Sequence, residues 1–352
     1  MSESALIDAF LRPFGSGGAG VLVGPGSDCA VVRLSRGQQL VATTDVVVEG
    51  VHFDWRWFWP EDVGHKALAV NLSDLAAAGA RPRWFLCGLG VPRGEAQADR
   101  TVARMARGMA ALARAHGCAL IGGNVSRASE WSVTITALGE ARRPLTRKGG
   151  RPGDALVVAG QLGDAAAALR LLSAQLPRGA GTRRTGTRGS GDTRGSGGRD
   201  PLRVRDEVTR PVRQRTAAPR RALRAQLRPT PLVEAGLEAA GLAGAAIDVS
   251  DGLLRDLGHL CGQSRCGAAV DCDALPVGRL ARGASDAMEL ALSGGEDYAL
   301  LFAVRPRRLP ALLRAIPGAV EIGRLQARPG LRLTERGAPR PLPAHLGVDH
   351  FG

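Results

Sequence analysis

A segment rich in arginine and glycine interrupts this chain and separates stretches whose apolar patterns are typical of a folded core. Residues 178–222 contain few large apolar side chains, so burial cannot offset the conformational entropy lost on ordering them. We therefore predict a disordered insertion at 178–222. Residues 178–225 hold 14 Arg and four acids, which accounts for ten of the formal net charge of +14. We expect no nucleic-acid partner, because the insertion lacks the interleaved aromatic residues of single-strand binding sites.

The rest of the composition indicates a soluble cytoplasmic protein. The first ten residues, MSESALIDAF, lack the basic n-region of a signal peptide. No stretch approaches the ~20 apolar residues of a membrane-spanning helix, so no membrane partner is expected. The six cysteines form no CxxC pair and lie in hydrophobic segments, which is typical of reduced core thiols.

Hydrophobic periodicity predicts an N-terminal α+β domain over residues 1–150. Strands are expected at 39–50 and 84–92, and helices at 60–80 and 95–116. Residues 119–124 are typical of a strand that runs into a turn. In WSVTITALG (131–139), alternation predicts a half-buried antiparallel strand, with Val133, Ile135 and Ala137 facing inward.

The second part, residues 151–352 with the insertion inside it, alternates short apolar segments with helix-like stretches. Strands are expected at DALVVAG (154–160) and AAIDVSDG (245–252), and the alternation continues through AAVDCD, YALLFAV and AVEIGRL. This order predicts an α/β C-terminal domain.

Acidic residues beside Gly, Ser or Thr at the ends of apolar strands carry the chemistry. They are Asp28, Asp45, Asp74, Asp248, Asp251, Glu296 and Asp297. Each alone is equally typical of a helix cap or a turn. Together they indicate converging oxygen ligands of the kind that bind Mg²⁺ next to phosphates.

Two common phosphate-binding designs are excluded. The sequence has no GxxxxGK[ST] motif and no protein-kinase motif set. With only two lysines, Lys66 and Lys148, a triphosphate has to be bound through metals, Arg and backbone amides. Phosphoryl transfer is compatible with such a site, because it depends mainly on positioning and charge stabilisation.

In this order the motifs closely resemble the thiamine-monophosphate kinase family of the PurM-like ATP-binding superfamily. The matching stretches are TTDVVVEGVHF (43–53), GHKALAVNLSDLAAAGARP (64–82), ALIGGNVSR (119–127), LTRKGGRPGDALVVAGQLGDAAAAL (145–169), RPTPLVEAG (228–236), AIDVSDGLLRDLGHL (246–260), LSGGEDYALLF (292–302) and GVDHF (347–351). The resemblance implies a two-domain PurM-like fold. It also implies a homodimer, in which two N-terminal domains build one β-barrel.

The resemblance implies direct in-line transfer of the γ-phosphoryl group of ATP to thiamine monophosphate, assisted by several Mg²⁺ ions. The implied metal ligands are Asp28, Thr43, Thr44, Asp45, Asp74, Asn124, Asp248 and Asp251. ATP is expected to contact Arg147, Ser250 and a Gly122–Gly123 turn. His52, Glu296 and His345 are expected to face thiamine monophosphate.

Four positions depart from the family pattern. Asn124 replaces an aspartate, and Ser27 an acid beside Asp28. His345 takes the place of a C-terminal aromatic residue, and Leu232 that of an arginine. An amide ligates through oxygen but brings no negative charge, so we expect an active enzyme with altered Mg²⁺ dependence.

Three alternatives remain open on sequence grounds. A related ATP-dependent enzyme would act on another small phosphorylated or carboxylated molecule. A degenerate homologue would bind nucleotide without turnover. A nucleic-acid-binding protein would use the arginine-rich segment, and its binding would fall steeply with salt.

Overall fold

Two β-sheets with flanking helices make up the protein in a computed structural model that describes residues 3–14, 17–174 and 223–348. The predicted insertion at 178–222 lies outside the described residues. The helices are α1 Glu3–Leu11, α2 Pro60–Ala77, α3 Ala98–Ala115, α4 Asp164–Ser173, α5 Arg224–Leu227, α6 Val233–Ala239, α7 Leu253–Ser264, α8 Ala287–Ser293 and α9 Leu309–Ala315.

The first sheet has four strands in the order β3-β6-β4-β5. They are β3 Gln39–Val48, β4 Arg81–Pro92, β5 Ala119–Ala128 and β6 Ser132–Ala141, and a small hairpin of β1 Val21–Val23 and β2 Val31–Val32 precedes them. Strand β6 pairs antiparallel with β3 and β4, whereas β4 and β5 are parallel because α3 crosses over between them. These elements confirm the α+β prediction for this part of the chain.

The two faces of the first sheet differ in what covers them. Val133, Ile135 and Ala137 are fully buried on the face that packs against helices, as the alternation predicts. On the other face Val46 and Leu86 remain 44% and 37% exposed. Within the described residues of one chain the sheet stays open, with β3 and β5 as its edges, so the closed barrel is absent from a single chain.

Gly122 and Gly123 lie inside β5 and not in the turn that the sequence predicts. Gly123 pairs with Cys87 of β4, and a Cβ atom at Gly123 would lie 2.1 Å from the Cys87 carbonyl oxygen. The pair of glycines therefore permits close strand pairing at this point, which is a second use of such a pair besides turn formation.

The second sheet has seven strands in the order β13-β12-β9-β11-β7-β10-β8. They are β7 Ala155–Ala159, β8 Ala243–Val249, β9 Gly267–Asp271, β10 Ala299–Val304, β11 Val320–Gln326, β12 Leu331–Glu335 and β13 Ala338–Arg340. Among the described strands of this second sheet, only β9 and β12 pair in parallel. The order of strands and helices agrees with the predicted alternation. The sheet is nevertheless mostly antiparallel, because β10 and β11 run opposite to the strands on either side of them.

Helix α2 links the two sheets. It contacts β3 and β6 of the first sheet and β8 and β10 of the second. One apolar cluster accordingly includes Leu72 of α2, Ile135 of β6 and Phe302 of β10. The position of α2 is thus fixed from both sides.

The cysteines follow the prediction with one exception. All six are free thiols, and five are buried, but Cys29 is exposed in the loop between β1 and β2. In the described part of the chain no helix has the length and apolarity needed to cross a membrane.

Candidate functional site

A cavity of about 1000 Å³ lies where α2, the inner face of β3 and the ends of β8 and β10 meet. Ten residues predicted from the sequence line it. They are Thr43, Asp45, His52, Asp74, Arg147, Asp248, Ser250, Asp251, Glu296 and His345.

The carboxylates converge because three elements end or turn at the same place. Thr43 and Asp45 lie on the same face of β3, since side chains alternate along a strand. The Thr43 hydroxyl donates to the Asp74 carboxylate on α2 at 2.6 Å. Next to Asp74, the Ser73 hydroxyl donates to Asp248 at the end of β8 at 2.9 Å.

These carboxylates resist ionisation in the protein alone. Burial, followed by repulsion from Asp74, raises the pKa of Asp248 to about 8. The same two causes raise the pKa of Asp45 to about 7. Burial also raises the pKa of Asp74, although Thr43 and Arg147 oppose this effect. Such a cluster is suited to bound cations, which would favour the ionised forms.

A single buried carboxylate shapes the loop that carries Ser250 and Asp251. Oδ2 of Asp256, in the first turn of α7, accepts the backbone amides of Ser250, Asp251 and Gly252 at 3.0, 3.0 and 3.2 Å. Gly252 has φ +122°, and a Cβ there would lie 2.9 Å from the Ser293 carbonyl. Asp256 is not among the site residues predicted from the sequence. The available signal was its place four residues after a glycine, at the start of a helix.

The other end of the cavity is built around Glu296. Lys66 Nζ lies 2.7 Å from Oε1 of Glu296, and the Gln226 side-chain amide donates to Oε2. Burial disfavours the charge on Glu296, but Lys66 and Gln226 outweigh it and lower its pKa. Lys66 and Gln226 are not among the site residues predicted from the sequence, although Lys66 belongs to the motif GHKALAVNLSDLAAAGARP (64–82).

His52 is oriented by its own turn. The Val48 amide donates to Nδ1 of His52 at 3.1 Å, so a neutral ring carries its proton on Nε2. The His52 carbonyl accepts from Lys66 Nζ at 3.1 Å. His52 and Glu296 therefore share one lysine, which joins two segments distant in sequence.

The segment around His345 closes one side of the cavity. Ser293 donates its hydroxyl hydrogen to the His345 carbonyl at 2.8 Å, and the Val348 amide donates to the Asp251 carbonyl at 2.8 Å. The His345 residue itself is exposed at the cavity edge. That His345 faces thiamine monophosphate stays a prediction.

Five predicted site residues, all in the described part of the chain, do not line the cavity. They are Asp28, Thr44, Gly122, Gly123 and Asn124. Asp28 is exposed in the loop between β1 and β2. Thr44 lies on the open face of β3 and donates to the Ile135 carbonyl at 3.0 Å. The side chain of Asn124 is exposed on β5 and donates to Ser126 at 3.1 Å. Strand alternation and sheet order direct Thr44 and Asn124 away from this cavity within one chain. The roles of all five as ligands stay predictions.

Asp297, the neighbour of Glu296, has a structural role. Its carboxylate accepts the amides of Gly163 and Ala165 at 2.6 and 3.2 Å, at the start of α4. Burial raises the pKa of Asp297 to about 7 despite these bonds. This acid matches the alternative of a helix cap that the sequence left open.

Comparison with known proteins supports both halves of the fold. Residues 26–141 match the family model "AIR synthase related protein, N-terminal domain", and residues 209–336 match the corresponding C-terminal domain. Thiamine-monophosphate kinase of Salmonella typhimurium is 35% identical over 360 residues, covering 99% of this chain and 98% of the relative.

Two solved structures extend the similarity. Thiamine-monophosphate kinase from Stenotrophomonas maltophilia superposes with a TM-score of 0.73 at 35% identity, covering 97% of this chain and 98% of that one. A structure of AaThiL complexed with AMPPCP and TMP gives a TM-score of 0.70 at 29% identity, covering 98% and 96%.

The two matched domains and the acidic cavity between them define a two-domain protein of the AIR synthase-related, PurM-like class. Within that class, two thiamine-monophosphate kinases match 93% and 99% of this chain at 34% and 35% identity, which specifies the family. The chain belongs to the thiamine-monophosphate kinase family, which is a family of enzymes.

Proposed function

We propose that this enzyme transfers the γ-phosphoryl group of Mg²⁺-bound ATP to thiamine monophosphate and releases ADP and thiamine diphosphate. The observation that carries the proposal is the convergence of Asp45, Asp74 and Asp248 at one end of a cavity whose other end holds His52 and Glu296. The end with the three aspartates is suited to metal-bound phosphates, and the end with His52 and Glu296 is suited to an organic group. The structure of a relative, AaThiL complexed with AMPPCP and TMP, supports both ligands.

The donor set fits Mg²⁺. Thr43, Asp45, Asp74, Asp248 and Asp251 offer only oxygen atoms, which this ion prefers. Burial first, and repulsion by Asp74 second, raise the pKa values of Asp45 and Asp248, and a bound cation would offset both effects. When bound, Mg²⁺ would neutralise phosphate charge and stabilise the charge of the transition state.

The chain's own residues would orient the two substrates. Arg147 and Ser250 would contact ATP phosphates, and His52, Glu296 and His345 would face thiamine monophosphate. An oxygen of the acceptor phosphate attacks the γ-phosphorus in line, while the bond from that phosphorus to the β–γ bridging oxygen breaks. The acceptor is already ionised at pH 7, so the reaction does not need a strong general base.

A homodimer is part of this proposal. Thr44 and Asn124 lie on β3 and β5, at opposite edges of the sheet and three strand spacings apart, roughly 14 Å. One ion bound at ~2 Å from its ligands cannot join them within one chain. Pairing of two open sheet faces, which expose Val46 and Leu86, would supply these residues from two copies and close the barrel.

The domain boundary and the location of the protein are also part of this proposal. We retain a domain division near residue 150, since the strands of the first sheet end at Ala141 and those of the second begin at Ala155. A cytoplasmic location is also retained as a proposal, because all six cysteines are free thiols.

The test is to incubate the purified protein with thiamine monophosphate, ATP and Mg²⁺ and to quantify thiamine diphosphate as its fluorescent thiochrome. We expect product from the wild type and at least a hundredfold less from Asp45→Ala. Asp99→Ala, which removes an exposed acid at the start of α3, is the matched control and should retain activity. ATP binding without product would indicate a nucleotide-binding homologue, and turnover of another acceptor a related enzyme.

A further inference from the structure

The structure assigns Lys66 a role as the positioning residue of the substrate end of the cavity. Its ammonium group contacts Glu296 Oε1 at 2.7 Å and the His52 carbonyl at 3.1 Å, and it lies over the Phe58 ring at 5.3 Å from the centroid. The Lys66 side chain is only 1% exposed. It holds two proposed substrate-facing residues at a fixed separation.

Lys66 is not arranged as a phosphate ligand. Within the described residues, its two polar contacts are both with protein groups, and the Phe58 ring lies over a further side of the ammonium group. A lysine that binds phosphate has to present its charge to the ligand, whereas this charge is directed at Glu296. The arrangement is instead that of a buried ion pair, in which removing one partner leaves the other uncompensated.

The backbone of Glu296 is also in an unusual conformation. Its φ is +67°, in the left-handed region that side-chain-bearing residues seldom adopt. The Glu296 amide donates to the Ser250 carbonyl at 2.6 Å, and Gln226 engages the second carboxylate oxygen. Backbone and side chain are thus fixed together, and Lys66 supplies the only charged contact of this set within the described residues.

This inference rests on the proposed function and specifies how the acceptor is recognised. A carboxylate with one lysine and one amide partner keeps free lone pairs, and the Glu296 side chain is 26% exposed. Thiamine monophosphate carries a cationic ring and an amino group, which such a carboxylate is suited to bind. A change at Lys66 should therefore weaken the binding of thiamine monophosphate. The binding of ATP, which is proposed to lie near the aspartates, should change little.

Steady-state kinetics of Lys66→Met, Glu296→Gln and the double variant test the role of Lys66. We expect Lys66→Met to raise KM for thiamine monophosphate at least tenfold, with KM for ATP within twofold. Because Lys66 acts through Glu296, the double variant should show about the same KM as Glu296→Gln alone. The double variant also removes both charges of the buried ion pair. Its comparison with Glu296→Gln therefore tests whether Lys66 acts through Glu296 even where Lys66→Met folds poorly.

Arg305→Met is the matched control. It breaks the ion pair with Asp154, a carboxylate that is 2% exposed and lies outside the cavity, and so reports the effect of lost stability alone. Equal rises of both KM values in Lys66→Met, an unchanged KM, or effects that multiply in the double variant would overturn the assignment. Absence of turnover in the wild type would instead overturn the proposed function, since each variant is measured relative to it.

Discussion

At the scale of single residues, one oxygen atom has an unusually large share of the site's hydrogen bonds. Oδ2 of Asp256 accepts three consecutive backbone amides, while burial raises the pKa of this carboxyl to about 7. The amides belong to the loop that directs Ser250 and Asp251 toward the cavity. The loop conformation therefore depends on a residue that does not itself line the cavity among the described residues.

We expect Asp256→Ala to lower the free energy of unfolding by about 3 kcal/mol, because three amides lose a buried acceptor. Asp256→Asn keeps one carbonyl oxygen and should lose less than half of that. Urea denaturation measures the difference, and a Mg²⁺ titration of the rate should show a several-fold higher requirement in Asp256→Ala. Equal stability of the alanine and asparagine variants would contradict the role of this oxygen.

Asn124 gives a second prediction at this scale. If the partner copy brings it to a metal site, Asn124→Asp adds a charged ligand and should lower the Mg²⁺ concentration for half-maximal rate several-fold. Ser126→Asp, a change on the same strand two residues away, adds the same charge as a control and should have a smaller effect. An unchanged Mg²⁺ dependence in Asn124→Asp would remove Asn124 from the proposed ligands.

At the scale of elements, α2 is positioned by unusually close backbone contacts. A Cβ on Gly64 of α2 would lie 2.0 Å from the Met105 carbonyl of α3, and one on Gly108 of α3 would lie 2.0 Å from the Glu61 carbonyl of α2. On another side, a Cβ on Gly236 of α6 would lie 2.0 Å from the Ala76 carbonyl. Glycine at these positions lets α2 pack closely enough to present Asp74 and Lys66 to the cavity.

We expect Gly108→Ala to destabilise the protein by about 2 kcal/mol, because the added methyl group forces α2 and α3 apart. Gly258→Ala is a matched control within α7, where no described atom lies within 4 Å of the added methyl group. That change should stabilise the protein by about 0.5 kcal/mol through the unfolded state. Thermal unfolding of both variants measures the contrast, and a stable Gly108→Ala protein would contradict the close packing.

How much the sequence reveals depends on how local each signal is. The buried alternation in β6 and the helices α2 and α3 follow from local periodicity, and the aspartates stand out as acids beside apolar strands. Lys66, Gln226 and Asp256 act through contacts that only the tertiary structure creates. The alternation of side chains along β3 does predict that Thr44 lies on the opposite face of the sheet from Thr43 and Asp45.

At the scale of the whole molecule, the open face of the first sheet leaves apolar side chains exposed to solvent in a single chain. Leu40, Val46 and Leu86 are 49%, 44% and 37% exposed there. Exposed apolar residues grouped on one sheet face are typical of an association surface. Thr44 and Asn124 lie on the same face, so association and metal binding are linked in the proposed homodimer.

We therefore expect Leu86→Asp to convert a dimer to a monomer and to reduce the turnover number at least tenfold. Leu171→Asp is the matched control, because Leu171 is also 37% exposed but lies on α4. Light scattering after size-exclusion chromatography gives the mass, and the thiochrome assay gives the rate. A fully active monomer would refute the need for a second copy.

Because α2 belongs to the packing of both sheets, the two halves are poor candidates for independent exchange between related enzymes. A chimera joined near residue 150 would pair the α2 of one parent with the β8, β10 and α6 of another, at contacts where a single methyl group does not fit. Recombination is therefore more promising when α2 is inherited together with its contacts on both sides. The loop at residues 343–348, which lines one side of the cavity, is a better position for substitutions that alter substrate preference, since loops tolerate sequence change better than packed helices.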